Sequence, residues 1–121
     1  EHLPFQANSF DFALMVTTLC FLQNPLQALQ EIKRILEPHG KIIIGMLDEE
    51  CPLGKHYREK TKKSKFYPVN QVLAWLKDFK FAKFKIVQTI FKNPGEIQSL
   101  EPVEEGFGKG LFVVILAEIT K

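Results

Sequence analysis

The stretch that decides the fold is SFDFALMVTTLCFLQNPLQALQEIKRILEPHGKIIIG, residues 9–45. Phe12 to Val16 is a short run apolar on both faces, as suits a strand buried inside a parallel sheet. Thr17 and Thr18 mark its carboxyl end. Asn24-Pro25 supplies a helix N-cap followed by proline at the first helical position. Leu26, Leu29, Ile32, Ile35 and Leu36 then recur at steps of three and four, forming one apolar stripe that packs on a sheet. Glu31 and Arg34 lie three apart on the wetter side and can pair. Gly40 stands where a left-handed cap would end this helix. Lys41 to Leu47 follows as a second strand, with Ile42, Ile43 and Ile44 consecutive. A strand, a helix and a strand in this order make a right-handed crossover between parallel strands.

Downstream, the segment at about 48–67 changes character. It is polar, contains Pro52 and Gly54, and carries Lys55, Arg58, Lys60, Lys62, Lys63 and Lys65. It reads as a loop or a loose charged helix. Asn70 opens a second helix, with Val72, Leu73, Leu76 and Phe79 on one face and Trp75 beside it. Lys83 to Phe91 is a strand. Asn93 to Gly110 is a turn-rich connection with Pro94, Gly95, Pro102 and three late glycines. Leu111 to Ile119 is the last strand. No helix separates the final two strands, so they pair antiparallel. The order predicts an α/β chain that closes with an antiparallel pair.

Composition narrows the class. The chain has 121 residues, enough for one domain, with 45% hydrophobic and 25% charged residues and 11 Phe. That aromatic load favours a packed core over a disordered tail. A net charge of +2 is too small to imply nucleic acid by itself. No apolar run reaches the roughly 18 residues of a membrane span. The leading residues lack the apolar region of a signal peptide. Cys20 and Cys51 lie far apart, and Cys20 sits in an apolar run. Both suit a reduced, cytoplasmic setting.

LPFQANSFDFALM followed by NPLQALQEIKRILEPHGKIIIG resembles the second half of a class I S-adenosylmethionine-dependent methyltransferase of the broad type 11, ubiquinone-biosynthesis-like group. The similarity runs along essentially the whole chain. It implies a partial Rossmann-like methyltransferase sheet with parallel strands, a C-terminal antiparallel strand pair and helices on the faces. The first strand here corresponds to the family's fourth, and the closing pair to its sixth and seventh. Two departures affect turn geometry. His39 stands in LEPHG where the family usually has glycine, and KDFKF at 77–81 lacks a glycine common there.

The resemblance also implies what these residues do not contain. The family's glycine-rich cofactor loop follows its first strand and leads into a helix N-terminus. No GxG occurs before residue 106, and GFGKG at 106–110 precedes a strand, where no helix follows to hold an anion. The expectation is a truncated methyltransferase domain over residues 1–121: a proteolytic remnant, an engineered piece or a fragment gene. On that reading S-adenosylmethionine binds these residues weakly or not at all, and they are inactive alone. The run Phe12 to Val16 becomes a bare apolar edge, covered by a second copy in a homodimer or by an absent N-terminal half.

The family places its ligands at the carboxyl ends of the parallel strands, at the switch point. The resemblance therefore puts Met15, Val16 and Thr17 on the cofactor side of the pocket and Thr18 on the substrate side. Met15 and Val16 also read simply as core strand residues, and the threonines as a strand end. Asp48 ends the second strand, where it can act as a general base or bind a substrate amine. With Glu49 and Glu50 it also reads as an acidic loop. His56 and Tyr57 fall in the charged segment, which forms part of a substrate lid in the family and otherwise reads as a solvated loop. Asp11 either orients the pocket or caps the strand start. His2 and His39 read as surface turn residues. No metal site is expected, because no CxxC or HxxxH spacing occurs. No GxSxG nucleophile appears either, and the catalytic residues are not identified.

A second class of function stays open. The basic run KHYREKTKKSK, with an aromatic inside it, suits RNA or another polyanion. The chain is then a non-catalytic interaction or dimerisation module. The methyl acceptor of the first reading is a small molecule of unidentified kind.

Overall fold

The computed structural model describes residues 2–48, 50–55 and 67–121. Strand β1 spans Phe10–Val16, helix α1 Pro25–Ile35, strand β2 Leu36–Leu47, helix α2 Val69–Asp78, strand β3 Phe81–Thr89, the two-residue strand β4 Glu104–Glu105, and strand β5 Phe112–Ile119. They form one five-stranded sheet in the order β1-β2-β5-β3-β4. Strands β1 and β2 run parallel, with Leu14 opposite Ile43 and Val16 opposite Gly45. Strand β5 inserts between β2 and β3 and runs antiparallel to both. The crossover and the closing pair are those expected from the sequence. The observed strand ends differ from the expected ones by up to five residues, and β4 lies inside the turn-rich connection.

Local chemistry starts α1 as anticipated. The Asn24 side chain accepts a hydrogen bond from the Gln27 amide at 3.1 Å, and Pro25 opens the helix. Its end differs from the expectation. Gly40 does not cap α1, which stops at Ile35. Leu36 is already extended, and Pro38 disfavours helix at Glu37. The left-handed residue of the turn is His39, with φ +67°. Gly40 is needed for another reason: a Cβ there would lie 2.9 Å from the Glu37 carbonyl oxygen. The carbonyls left open at the end of α1 are bonded across the molecule. Asn8 and Ser9 amides donate to Arg34 and Ile35, and Lys121 Nζ donates to the carbonyls of Arg34 and Leu36.

The strand residues in phase with Met15, Ile42, Ile44, Val113 and Ile115 point to one side. There they join Leu29 and Ile32 of α1 and Val69, Val72 and Leu76 of α2 in a single core. Helices α1 and α2 therefore cover the same face. The opposite face carries Phe12, Leu14 and Val16, which are 62%, 68% and 50% exposed. No helix covers that face among the described residues. The anticipated bare edge at β1 is present, and the exposed large apolar side chains of this face lie on that strand.

The leading segment is tied down on α1. Glu31 accepts the Leu3 amide at 2.9 Å and pairs with Arg34 at 2.8 Å. Arg34 in turn donates to the carbonyls of Phe5 and Leu3. These bonds hold the Glu31 carboxyl down at about 2, with Arg34 the largest cause.

Candidate functional site

The carboxyl ends of β1 and β2 lie side by side. Beyond β1, the Thr17 amide donates to the Gly45 carbonyl at 2.7 Å, continuing the ladder by one residue. Thr17 then takes φ +52°, a conformation that costs a β-branched residue more than most. Its hydroxyl and that of Thr18 both donate to the Val16 carbonyl, at 2.7 and 3.1 Å. The chain turns sharply here into a single 3-10 turn, Leu19–Phe21. Backbone strain of this kind collects where geometry serves a site.

Beyond β2, the Asp48 amide donates to the Leu111 carbonyl at 2.8 Å, which ties it to the start of β5. Its side chain is 1% exposed. Oδ1 accepts from the Glu50 amide at 2.9 Å, and Oδ2 has no hydrogen-bond partner among the described residues. Cys51 is fully buried nearby, and its sulfur accepts from the Gly54 amide. Burial pushes the Cys51 thiol up, and the charge of Asp48 adds to that. Burial likewise raises Cys20. Both cysteines are free thiols.

A cavity of about 310 Å³ opens beside the β1 edge, on the side of α1. Met15 and Thr18 line it together with Ala13, Leu14, Leu22 and Ile32. Met15 is otherwise part of the core at 6% exposure, whereas Val16 points to the uncovered face. A larger hollow of about 640 Å³ lies over α1 between His2, Lys33, Phe79 and Lys121. It is near the amino end of the parallel pair and away from Thr17 and Asp48.

The structure thus gathers Met15, Val16, Thr17, Thr18 and Asp48 at one edge. His56 and Tyr57 lie outside the described residues, as does most of the charged segment. Asp11 sits near the opposite end of β1, beside Glu37, whose carboxyl it raises by hydrogen bonding and repulsion. It is remote from the strand ends. His2 and His39 are exposed and face Glu31 and Glu118. No cluster of three metal-ligating side chains occurs among the described residues. Gly45 was not singled out from the sequence. A Cβ there would meet the Phe112 ring at 2.7 Å, so β5 presses an aromatic ring onto β2 beside Val16. Nothing in the local sequence marks that contact. GFGKG is a turn, as anticipated: Gln88 Oε1 accepts the amides of Lys109 and Gly110, and strand β5 follows.

A family model described as methyltransferase domain matches residues 1–44. A crystal structure from Thermotoga maritima, described as a SAM-dependent methyltransferase and "possible histamine N-methyltransferase", is 43% identical with a TM-score of 0.93. The match takes in 97% of this chain and 59% of that one. The chain has the fold of the class I S-adenosylmethionine-dependent methyltransferases and is similar to them in sequence. An uncharacterised protein of Methanocaldococcus jannaschii is 45% identical over 98% of this chain and 60% of its own length. A tRNA U34 carboxymethyltransferase of Nautilia profundicola is 29% identical over the whole of this chain and 41% of its own. The chain therefore spans about three fifths of the Thermotoga and Methanocaldococcus proteins and about two fifths of the Nautilia one. Within them it supplies the sheet region around β1, β2 and the antiparallel pair.

Proposed function

We propose that the protein transfers a methyl group from S-adenosylmethionine to a small-molecule acceptor. The reading is carried by the near-complete superposition of this α/β unit on a SAM-dependent methyltransferase, at a TM-score of 0.93 with 43% identity. Bound S-adenosylmethionine supplies an electrophilic methyl group, which passes to an acceptor lone pair while the broken S–CH₃ bonding pair stays on sulfur.

The chain's own part is positioning. Met15, Val16 and Thr17 are assigned to one wall of the cofactor site. The tight turn at Thr17 brings exposed backbone and the Thr18 hydroxyl to the carboxyl edge, and Met15 supports it from the core. They form no closed cradle, because no glycine-rich turn runs into a helix. Residues 1–121 alone are expected to hold the cofactor weakly or not at all. Thr18, Asp48, His56 and Tyr57 are assigned to the acceptor side. The apolar β1 edge is assigned to a second copy of the chain or to a preceding half-domain. The two free thiols suit a reducing cytoplasm.

Isothermal titration of the full-length protein with S-adenosylmethionine tests this reading. Saturable one-site binding is the expected result, and its absence rules the reading out.

A further inference from the structure

Two polar side chains are buried among the described residues, Asp48 and Gln88. They differ in how they are satisfied. Gln88 engages both polar atoms: Oε1 accepts from Lys109 and Gly110, and Nε2 donates to the Glu105 carbonyl. Its role is to hold the turn before β5. Asp48 uses one oxygen for the Glu50 amide and leaves the other with nothing.

An unbonded carboxylate oxygen shielded from water bears its desolvation cost without return, so buried acids are normally matched by donors or cations. Nothing described in the fold supplies the match. The ion pairs among the described residues lie elsewhere, at Glu31 and Glu118. The adjacent Cys51 sulfur is turned to the Gly54 amide, and burial keeps its thiol from ionising. Position supplies the other half of the argument. Asp48 sits at the carboxyl end of β2, fixed by the start of β5, one strand across from the strained turn at Thr17. In open α/β sheets ligands approach at that end.

We propose that Asp48 is the anchoring point for a positively charged amine on the methyl acceptor. The proposal rests on the methyltransferase reading above and names the substrate class of that site. An ammonium group suits Oδ2 better than a neutral donor, because it brings the charge as well as the hydrogen bond.

The test uses the full-length protein saturated with S-adenosylhomocysteine, followed by calorimetry and thermal shift. The probes are butylamine, phenethylamine and tryptamine, each set against the alcohol of the same skeleton. At least one amine is expected to bind about tenfold or more tighter than its alcohol, and Asp48→Asn is expected to erase that ratio. S-adenosylhomocysteine binding is the separate control. Its absence from the wild type sinks the methyltransferase reading. If it binds while every amine and alcohol bind alike, or if the ratio survives in Asp48→Asn, the Asp48 proposal alone is overturned. Should Asp48→Asn not fold, the wild-type ratio decides by itself, and a value near one overturns the proposal.

Discussion

His39 shows how much one backbone angle can matter. It holds φ +67° in the irregular first part of β2, where its side chain gains only an exposed contact of 3.3 Å with Glu118. A left-handed conformation costs a residue with a Cβ roughly 1–2 kcal/mol, and an exposed ion pair returns little. His39→Gly should therefore stabilise the fold by about 0.5–1 kcal/mol after glycine's own entropy is counted. An unchanged or lower urea midpoint would contradict this. The PHG sequence announced a turn, but glycine looked like the left-handed residue and histidine was the one. At Glu31 the charge chemistry sets a pH dependence. Its carboxyl is depressed to about 2 by Arg34 and the Leu3 amide. A folded value below the unfolded one means that the stabilisation is complete above pH ~4.5 and fades as pH falls toward 2. Stability curves of wild type and Glu31→Gln should differ near neutrality and converge at the acid end. A constant gap between them would refute the sign. The Glu31–Arg34 pair was legible from spacing; its third partner, the Leu3 backbone, was not, because that contact spans 28 positions.

Elements were read well where periodicity is local and less well where tertiary partners set the ends. Helix α1 announced itself through Asn24, Pro25 and the stripe from Leu29 to Ile35. Its end was misplaced, because the bonds that close it come from Asn8, Ser9 and Lys121, all distant in sequence. Strand β2 was clear from its three isoleucines, yet its contact with β5 rests on a glycine that looks unremarkable in sequence. Gly45→Ala would drive a methyl group to within 2.7 Å of the Phe112 ring. Overpacking of this sort costs typically 1–3 kcal/mol. Chemical denaturation should show that loss, and Phe112→Leu in the same chain should recover part of it. A Gly45→Ala protein as stable as wild type would mean that Phe112 moves freely away.

At the scale of the whole molecule, the dominant feature is imbalance between two sheet faces. One buries α1 and α2 against a continuous core; the other presents Phe12, Leu14 and Val16 to solvent beside an unpaired strand edge. Such an edge recruits another chain. Residues 1–121 on their own should self-associate. Leu14→Lys should reduce this while changing unfolding free energy by no more than about 0.5 kcal/mol, since Leu14 is already 68% exposed. A monomeric wild type by light scattering would count against the edge as a contact surface. The sequence by itself determined the α/β order, the parallel crossover and the closing antiparallel pair, because each is written in short-range patterns of apolar spacing and caps; the methyltransferase resemblance was carried separately, by the two quoted motifs. Only tertiary structure decided that both helices share one face, that Thr17 and His39 carry left-handed backbones, and that Asp48 ends up buried with one oxygen unmatched. Those outcomes depend on which distant residues meet, and no local pattern encodes a meeting between β2, β5 and the turn after β1.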